Sequence, residues 1–360
     1  MPRKATALFL VWASIAIWTG CSTSTSNHYV FAAIPTSNAI MIYREDPNAG
    51  VLTSLVGSPI TAGQAVQALA LHPSKKYLYA ANSGSANISL YDIASSGALS
   101  EVTPRATAGT APTLLAMDPA GGYLYVGNTG SYDISVFKIS STDGTLSAVA
   151  QQAGATAPIG LSPLNMALSP SGNVLYVTGQ GQQGYVEAFP VTAGVLGQPL
   201  SGSPYVTGNA PYGLAITPGG GFLYTANKLD NALSEFTINP DGSLTPLANS
   251  PIGESYSSPV SLAIDPSGKF LFVANQGSAV LAGFSVGSDG GLTLLSTSPF
   301  TTGTNPSFVT SDPNGKFIFV GTQANSNASV QSFNMDSSGT LTLVSTYGVP
   351  NTATSIVVLP

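Results

Sequence analysis

Few side chains in this 360-residue chain could take part in acid–base, metal or nucleophilic chemistry. The chain has two histidines, one cysteine, ten basic and 16 acidic residues. Acid–base catalysis needs a titratable side chain within hydrogen-bond reach of the substrate. A single cysteine excludes an internal disulfide and a cysteine-rich zinc site. Because basic residues are few and outnumbered, the chain cannot neutralise a row of phosphates, which excludes a nucleic-acid binder.

The cysteine follows an apolar segment at the start of the chain. Arg3 and Lys4 precede apolar residues 5–18, which are too few to cross a bilayer as a helix. A positively charged N-terminal region, a short apolar run and a small residue before the cleavage site are typical of a secretory signal peptide. The segment resembles a bacterial lipobox ending at Cys21, although Trp18 stands where the lipobox usually has an aliphatic residue.

We therefore predict a lipoprotein-type signal peptide at residues 1–20, acylation of Cys21 and a Ser/Thr-rich tether at residues 21–27. The protein would then be exported to the bacterial cell envelope and anchored in a membrane, facing the periplasm or the exterior. A secreted protein with an unmodified cysteine is the alternative.

One pattern recurs along the rest of the chain. A short apolar run leads to an anchoring proline, and a turn then leads to a second apolar run. The anchors lie 46 to 51 residues apart and are Pro73, Pro119, Pro170, Pro218, Pro266, Pro313 and Pro360. A period of this length with several short strands per repeat indicates the blades of a propeller.

Each repeat predicts four strands, A to D. Pro followed by Gly two residues later joins A to B, because Pro presets φ and Gly tolerates positive φ. In the repeat anchored at Pro266 the predicted strands are residues 262–264, 270–274, 280–286 and 292–296.

The first and last repeats are incomplete, and together they make one blade. The mature chain starts with a B strand at residues 28–33, and it ends with an A strand at residues 354–360. Pairing of these ends would close the ring and remove its exposed strand edges. We predict one all-β domain at residues 28–360: a seven-bladed β-propeller with four-stranded antiparallel blades.

The repeats resemble those of a known family. Segments such as Phe272-Val-Ala-Asn275 and Tyr224-Thr-Ala-Asn227 are similar to Tyr-Val-Thr-Asn repeats, and Gly-x-Leu recurs at the C–D turns. The layout resembles the lactonase-like propellers, which include 6-phosphogluconolactonase. That resemblance implies catalysis by His, Glu and Arg near the channel, with a Pro-His pair opening strand A. Here no histidine follows the corresponding prolines, so we assign no catalytic residue.

The mouth of the central channel is predicted to be uncharged. Counting six and five residues back from each anchor gives the start of each A strand, and none of these fourteen residues is His, Asp, Glu, Lys or Arg. Such a funnel favours stacking and hydrogen bonding to an uncharged ligand over proton transfer. Its candidate ligand-binding residues are Tyr212, Gln67, Thr113, Asn165, Ser261 and Ser307.

The B–C loops should reach the same end of the channel. They supply four further candidates for ligand contact: Tyr132, Asp133, Lys228 and Asp230. We predict no cofactor, although a structural calcium ion held by Asp133 or Asp230 remains open because no ligand spacing marks it. The asparagines that recur at the ends of B strands are interpreted as caps.

The remaining motifs are interpreted as structural. His28 and His72 are predicted to be ordinary turn residues at the opposite end of the channel. Residues 179–184 match the Gly-x-Gly-x-x-Gly fingerprint, but a strand follows instead of the helix that would hold a pyrophosphate.

Two functions remain open. The first is a binding module whose funnel holds a small molecule, a glycan or a protein, and we expect a monomer. The alternative, which the resemblance implies, is a lactone hydrolase. Export and the shortage of basic residues argue against a phosphorylated substrate, so the substrate would be an unphosphorylated lactone.

Overall fold

A computed structural model describes residues 28–151, 156–158, 162–323 and 327–360. These residues form seven antiparallel sheets arranged as blades around a central channel. The predicted seven-bladed β-propeller is therefore confirmed. The predicted signal peptide, the predicted tether and Cys21 lie outside the described residues. No helix in the described part of the chain combines the length and apolar character needed to span a bilayer.

The inner strand of each blade, A, lines the channel. From blade 1 to blade 7, the A strands are Val66–Leu71, Pro112–Met117, Pro163–Leu168, Pro211–Ile216, Pro259–Ile264, Pro306–Ser311 and Ser355–Leu359. The B strands are Tyr77–Asn82, Tyr123–Asn128, Val174–Gln180, Phe222–Asn227, Phe270–Asn275, Phe317–Thr322 and His28–Ile34. The C strands are Asn87–Ile93, Asp133–Ile139, Gly184–Thr192, Ala232–Ile238, Val280–Val286, Ser329–Met335 and Ala39–Glu45.

The outer strand, D, differs from its prediction. It is continuous only in blade 1, Leu99–Thr107, and blade 6, Leu341–Gly348. In the other blades, two short pieces pair with opposite ends of the C strand. From blade 2 to blade 5 these pieces are Leu146–Ala148 and Thr156–Pro158, Val195–Leu196 and Tyr205–Val206, Leu244–Pro246 and Ile252–Gly253, and Leu292–Leu294 and Phe300–Thr301; in blade 7 they are Leu52–Ser54 and Ile60–Thr61.

A repeated Ser-Pro pair explains several of these breaks. Proline cannot donate to the strand ladder, and the serine hydroxyl before it accepts a backbone N–H of the C strand instead. Ser250 Oγ accepts Glu235 N at 2.8 Å and Ser298 Oγ accepts Gly283 N at 3.1 Å. The outer strand is therefore interrupted without leaving the C strand unsatisfied.

The two chain ends close the ring as predicted. Residues 29–33 pair with residues 355–359 in antiparallel register, with Phe31 opposite Val357. The single 3-10 turn among the described residues, Pro35–Ser37, joins strands B and C of this closing blade.

The core lies between the blades. Seven clusters of buried apolar side chains each join neighbouring blades, such as Tyr224 and Leu233 of blade 4 with Leu271 and Phe284 of blade 5. The B strands are buried on both faces, which explains their nearly continuous apolar sequences.

Candidate functional site

A cavity of about 520 Å³ occupies the central channel. Residues at the start of all seven A strands line it. These are residues that the sequence places five or six positions before the anchor prolines. The lining includes Tyr212, Gln67, Thr113, Asn165, Ser261 and Ser307. We call the end of the propeller that carries the D–A and B–C loops the upper face.

Three of these six residues connect neighbouring blades. Asn165 Nδ2 donates to the Tyr212 carbonyl at 2.7 Å, and Ser261 Oγ accepts Val309 N at 3.1 Å. Ser307 Oγ donates to the Ala353 carbonyl at 3.0 Å. Inner strands carry backbone groups that face the next blade, and these side chains satisfy them. We conclude that Asn165, Ser261 and Ser307 stabilise the contacts between neighbouring blades.

Gln67 and Thr113 are different. Neither side chain makes a hydrogen bond within the described residues, and Thr113 Oγ1 is inaccessible to solvent. Both occupy the same position, on blades 1 and 2 respectively. The Gln67 amide is therefore available at the channel wall, whereas the Thr113 hydroxyl is buried behind it.

Tyr212 and Lys228 meet at the mouth of the channel on blade 4. The Ala210 carbonyl accepts both Tyr212 N and Lys228 N, each at 2.9 Å, which brings the two backbones together. Lys228 Nζ lies 5.2 Å from the centroid of the Tyr212 ring, in a cation–π contact. Tyr212 is 42% exposed. We call this pair the Tyr212–Lys228 corner. Tyr212 lines the cavity, and Lys228 lies against the Tyr212 ring without belonging to the lining.

Two loops fix this corner. Asp230 Oδ2 accepts Asn209 N at 2.7 Å and its Oδ1 accepts Asn209 Nδ2 at 3.0 Å. Gln180 Oε1 of blade 3 accepts Ala210 N at 2.5 Å. Asp230 thus stabilises the loop that contains Asn209. Sequence reasoning missed Asn209 and Gln180; Gln180 lies in the glycine-rich segment that matched the dinucleotide fingerprint.

The family model for "Lactonase, 7-bladed beta-propeller" matches residues 57–163, 198–299 and 287–358. The chain belongs to this family. No curated protein in the comparison matches the chain.

Solved structures share the fold of this lactonase-family propeller. A putative 6-phosphogluconolactonase from Bacteroides fragilis is 20% identical with a TM-score of 0.79, covering 94% of this chain and 99% of its own. A periplasmic gluconolactonase from Pseudomonas aeruginosa is 20% identical with a TM-score of 0.76, covering 93% and 99%. A protein from Lactobacillus plantarum is 24% identical with a TM-score of 0.77, covering 93% and 99%. At these identities the likeness shows the fold alone.

The blade 2 loop candidates lie away from the corner. Asp133 Oδ1 accepts Asn128 Nδ2 at 2.7 Å and Ser131 Oγ at 3.0 Å, so it organises its own loop. Tyr132 is about half exposed and is not part of the channel lining. Asn128 also donates to Ser135, and Asn227 donates to Ser234 in the same way, as expected of strand caps.

Sequence reasoning also missed Glu254. It lies in the D–A loop that leads into blade 5, and its carboxyl oxygens are buried beside the Asn275 side chain. Burial raises the pKa of Glu254 to about 8. The sequence could have pointed to it, because Glu254 is the only charged residue among the described residues of the D–A loops.

The lower face, which carries the A–B and C–D turns, holds both histidines. His72 lies in an A–B turn, where its Nε2 contacts the Gly121 carbonyl at 3.0 Å. The turn prediction for His28 was wrong. His28 begins a B strand and is buried opposite Glu45, with 3.8 Å between His28 Nδ1 and Glu45 Oε2. Burial, with nearby Asp312, raises the pKa of Glu45 to about 8.

The described residues contain no group of three or more His, Cys, Asp or Glu side chains able to hold a metal ion. Asp312 is the one titratable acid that lines the cavity in this part of the chain. It lies at the lower end, where Oδ1 accepts Lys316 N at 2.6 Å and Phe317 N at 2.8 Å. Asp312 is therefore a turn-forming residue.

Proposed function

We propose that this lactonase-family propeller binds a small hydroxylated ligand, of the sugar or sugar-lactone class, in its funnel. The observation that carries the proposal is the cavity of about 520 Å³, whose upper wall combines the exposed Tyr212 ring with the unused side-chain amide of Gln67. An aromatic face suits the C–H surface of a sugar ring, while amide and hydroxyl groups suit its hydroxyls.

Substitution at the funnel tests ligand binding. The probe is D-glucono-1,5-lactam, a stable neutral mimic of a sugar lactone, titrated calorimetrically. Tyr212→Ala should weaken binding about fivefold or more, because stacking on an aromatic ring contributes about 1 kcal/mol or more. His72→Ala on the lower face is the control and should bind as the parent does. No binding by the parent, or equal binding by Tyr212→Ala, would contradict the proposal.

Hydrolysis of an unphosphorylated lactone is the second candidate function, and family membership favours it. One structural relative is named a periplasmic gluconolactonase. Water must attack the lactone carbonyl while the ring C–O bond breaks, and a general base accelerates the attack. The upper-face carboxylates Asp133 and Asp230 are engaged by their own loops. Asp312, which lines the cavity, accepts backbone N–H groups of its own turn. The geometry therefore supports binding better than turnover.

Enzyme assays distinguish these functions. We expect no hydrolysis of 6-phosphogluconolactone above the spontaneous rate in a pH-stat, because the cavity lining includes no basic residue to bind a dianionic phosphate. D-glucono-1,5-lactone is assayed alongside it. Turnover of the phosphorylated lactone at about 1–10³ per second would show that the protein is a 6-phosphogluconolactonase.

We also propose that acylated Cys21 anchors the protein in a membrane of the cell envelope. The support is the sequence: a positive start, a short apolar run, and the chain's only cysteine before a Ser/Thr-rich segment. Cys21→Ala should move the protein from the membrane to the soluble fraction. Equal partitioning of the parent and Cys21→Ala would rule out the anchor.

A further inference from the structure

We propose that the ligand carries a single carboxylate and that Lys228 binds it beside Tyr212. The preferred ligand would then be a sugar acid, such as an aldonate or a uronate, rather than a neutral sugar or lactone. This inference rests on the proposed binding function of the funnel.

Lys228 lacks an acidic partner in the described part of the chain. The close contacts between basic and acidic side chains there join His28 to Glu45 and Arg105 to Glu101. Asp230, two residues from Lys228, directs both carboxylate oxygens to Asn209. The ammonium group therefore keeps its charge unneutralised and its donors available for an anion.

The structure holds this charge in place before any ligand binds. The Ala210 carbonyl fixes the Lys228 backbone, and the face of the Tyr212 ring supports the ammonium group. The Asn165 amide holds the Tyr212 carbonyl from the neighbouring blade. Because these groups are already ordered, binding an anion here costs little additional conformational entropy.

The distribution of charge limits the anion to one negative charge. Lys228 is the only basic residue on the upper face of the described chain, where Asp133, Asp230 and Glu254 also lie. The other basic residues of that part are on the lower face or an outer strand: Arg44, Lys75, Lys76, Lys138, Lys269, Lys316 and Arg105. One ammonium can neutralise a carboxylate, whereas a phosphate dianion would keep a net negative charge in a chain of net charge −6.

Two probes of matched shape test the inference: D-gluconate and its neutral analogue D-gluconamide, titrated calorimetrically into the purified protein. We expect gluconate to bind about tenfold more tightly, as a hydrogen bond to a charged group predicts. Lys228→Met should abolish this preference, so that the two probes bind with affinities within about twofold of each other. Lys75→Met, which removes a lower-face charge, is the control and should keep the preference.

The outcomes separate this inference from the proposed function. If the two probes bound with equal affinity and Lys228→Met changed neither affinity, the proposed carboxylate contact would be wrong, while the proposed ligand binding would stand. Tighter binding of 6-phosphogluconate than gluconate would overturn the limit to one charge. No binding of gluconate, gluconamide or the neutral lactam would overturn both proposals.

Discussion

Side chains of one chemical type perform different tasks at corresponding positions around the channel. The hydroxyl of Ser307 joins neighbouring blades, whereas that of Thr113, at the same distance from its anchor proline, is buried without a partner within the described residues. The difference follows from where each hydroxyl points relative to the backbone of the next blade. A ligand can use only the groups that the ring does not already engage.

Glu254 gives a prediction at the residue scale. Its folded pKa of about 8 lies above the usual value, so between about pH 4.5 and 8 the folded state keeps a proton that the unfolded state releases. Stability contributed by this group is therefore present below the unfolded pKa and is lost as pH rises through the folded one. Glu254→Gln should match the parent near pH 5 and exceed it by about 1–3 kcal/mol near pH 8.

Thermal unfolding at the two pH values measures this effect. Glu101→Gln is the matched control, because Glu101 is exposed and bonded to Arg105, so its replacement should give no gain at pH 8. If Glu254→Gln shifted the melting temperature equally at both pH values, the buried carboxyl would not be the cause.

At the scale of elements, the B strands also connect the blades through their tyrosines. Tyr79 OH donates to the Gly144 carbonyl at 2.7 Å, Tyr176 OH to Gly242 at 2.8 Å and Tyr224 OH to Gly290 at 2.7 Å. Each acceptor is the glycine of a C–D turn in the following blade. These glycines have positive φ, such as 86° at Gly290, which favours glycine over other residues.

Tyr224→Phe tests this connection. The variant keeps the ring but leaves the Gly290 carbonyl without its buried donor, so we expect a loss of about 1–3 kcal/mol in the free energy of unfolding. Tyr77→Phe is the control, because the Tyr77 OH bond to the Thr142 carbonyl is long, 3.3 Å, and exposed. Denaturant unfolding should show a clearly smaller loss for Tyr77→Phe; equal losses would argue against the buried bond.

At the scale of the whole molecule, one strand closes the ring. Residues 355–359 supply the inner strand of blade 7, and Ile356 and Val358 are buried against blades 6 and 7. Deleting residues 352–360 would leave the strand His28–Ile34 with an unpaired inner edge. At about 1.5–3 kcal/mol per large apolar side chain, plus about 1 kcal/mol per hydrogen bond, the loss approaches a typical domain stability of about 5–15 kcal/mol.

We therefore expect the truncated protein to melt far below the parent or to fail to fold. Thr342→Ala, an exposed outer-strand change, is the control and should melt within a few degrees of the parent. A truncated protein with the parent's melting temperature would show that closure contributes nothing to stability.

The sequence by itself determined the repeat, the blade number, the closure and the wall of the channel. Each depends on local spacing: anchor prolines at a regular period, turn residues at fixed positions, and incomplete repeats at the two ends. Residues such as Thr113 and Tyr212 could be placed at the channel because every blade repeats one register. The family resemblance followed from the same repeats.

Only the tertiary structure decided what each side chain does there. Lys228 meets Tyr212 because a D–A loop and a B–C loop share the Ala210 carbonyl, and Asn165 is engaged because a neighbouring blade brings Tyr212 to it. The burial of Glu254 and of His28 beside Glu45 likewise depends on what packs above them. Charge and hydrogen bonding depend on distances between blades far apart in the chain, and a repeat spacing carries no information about them.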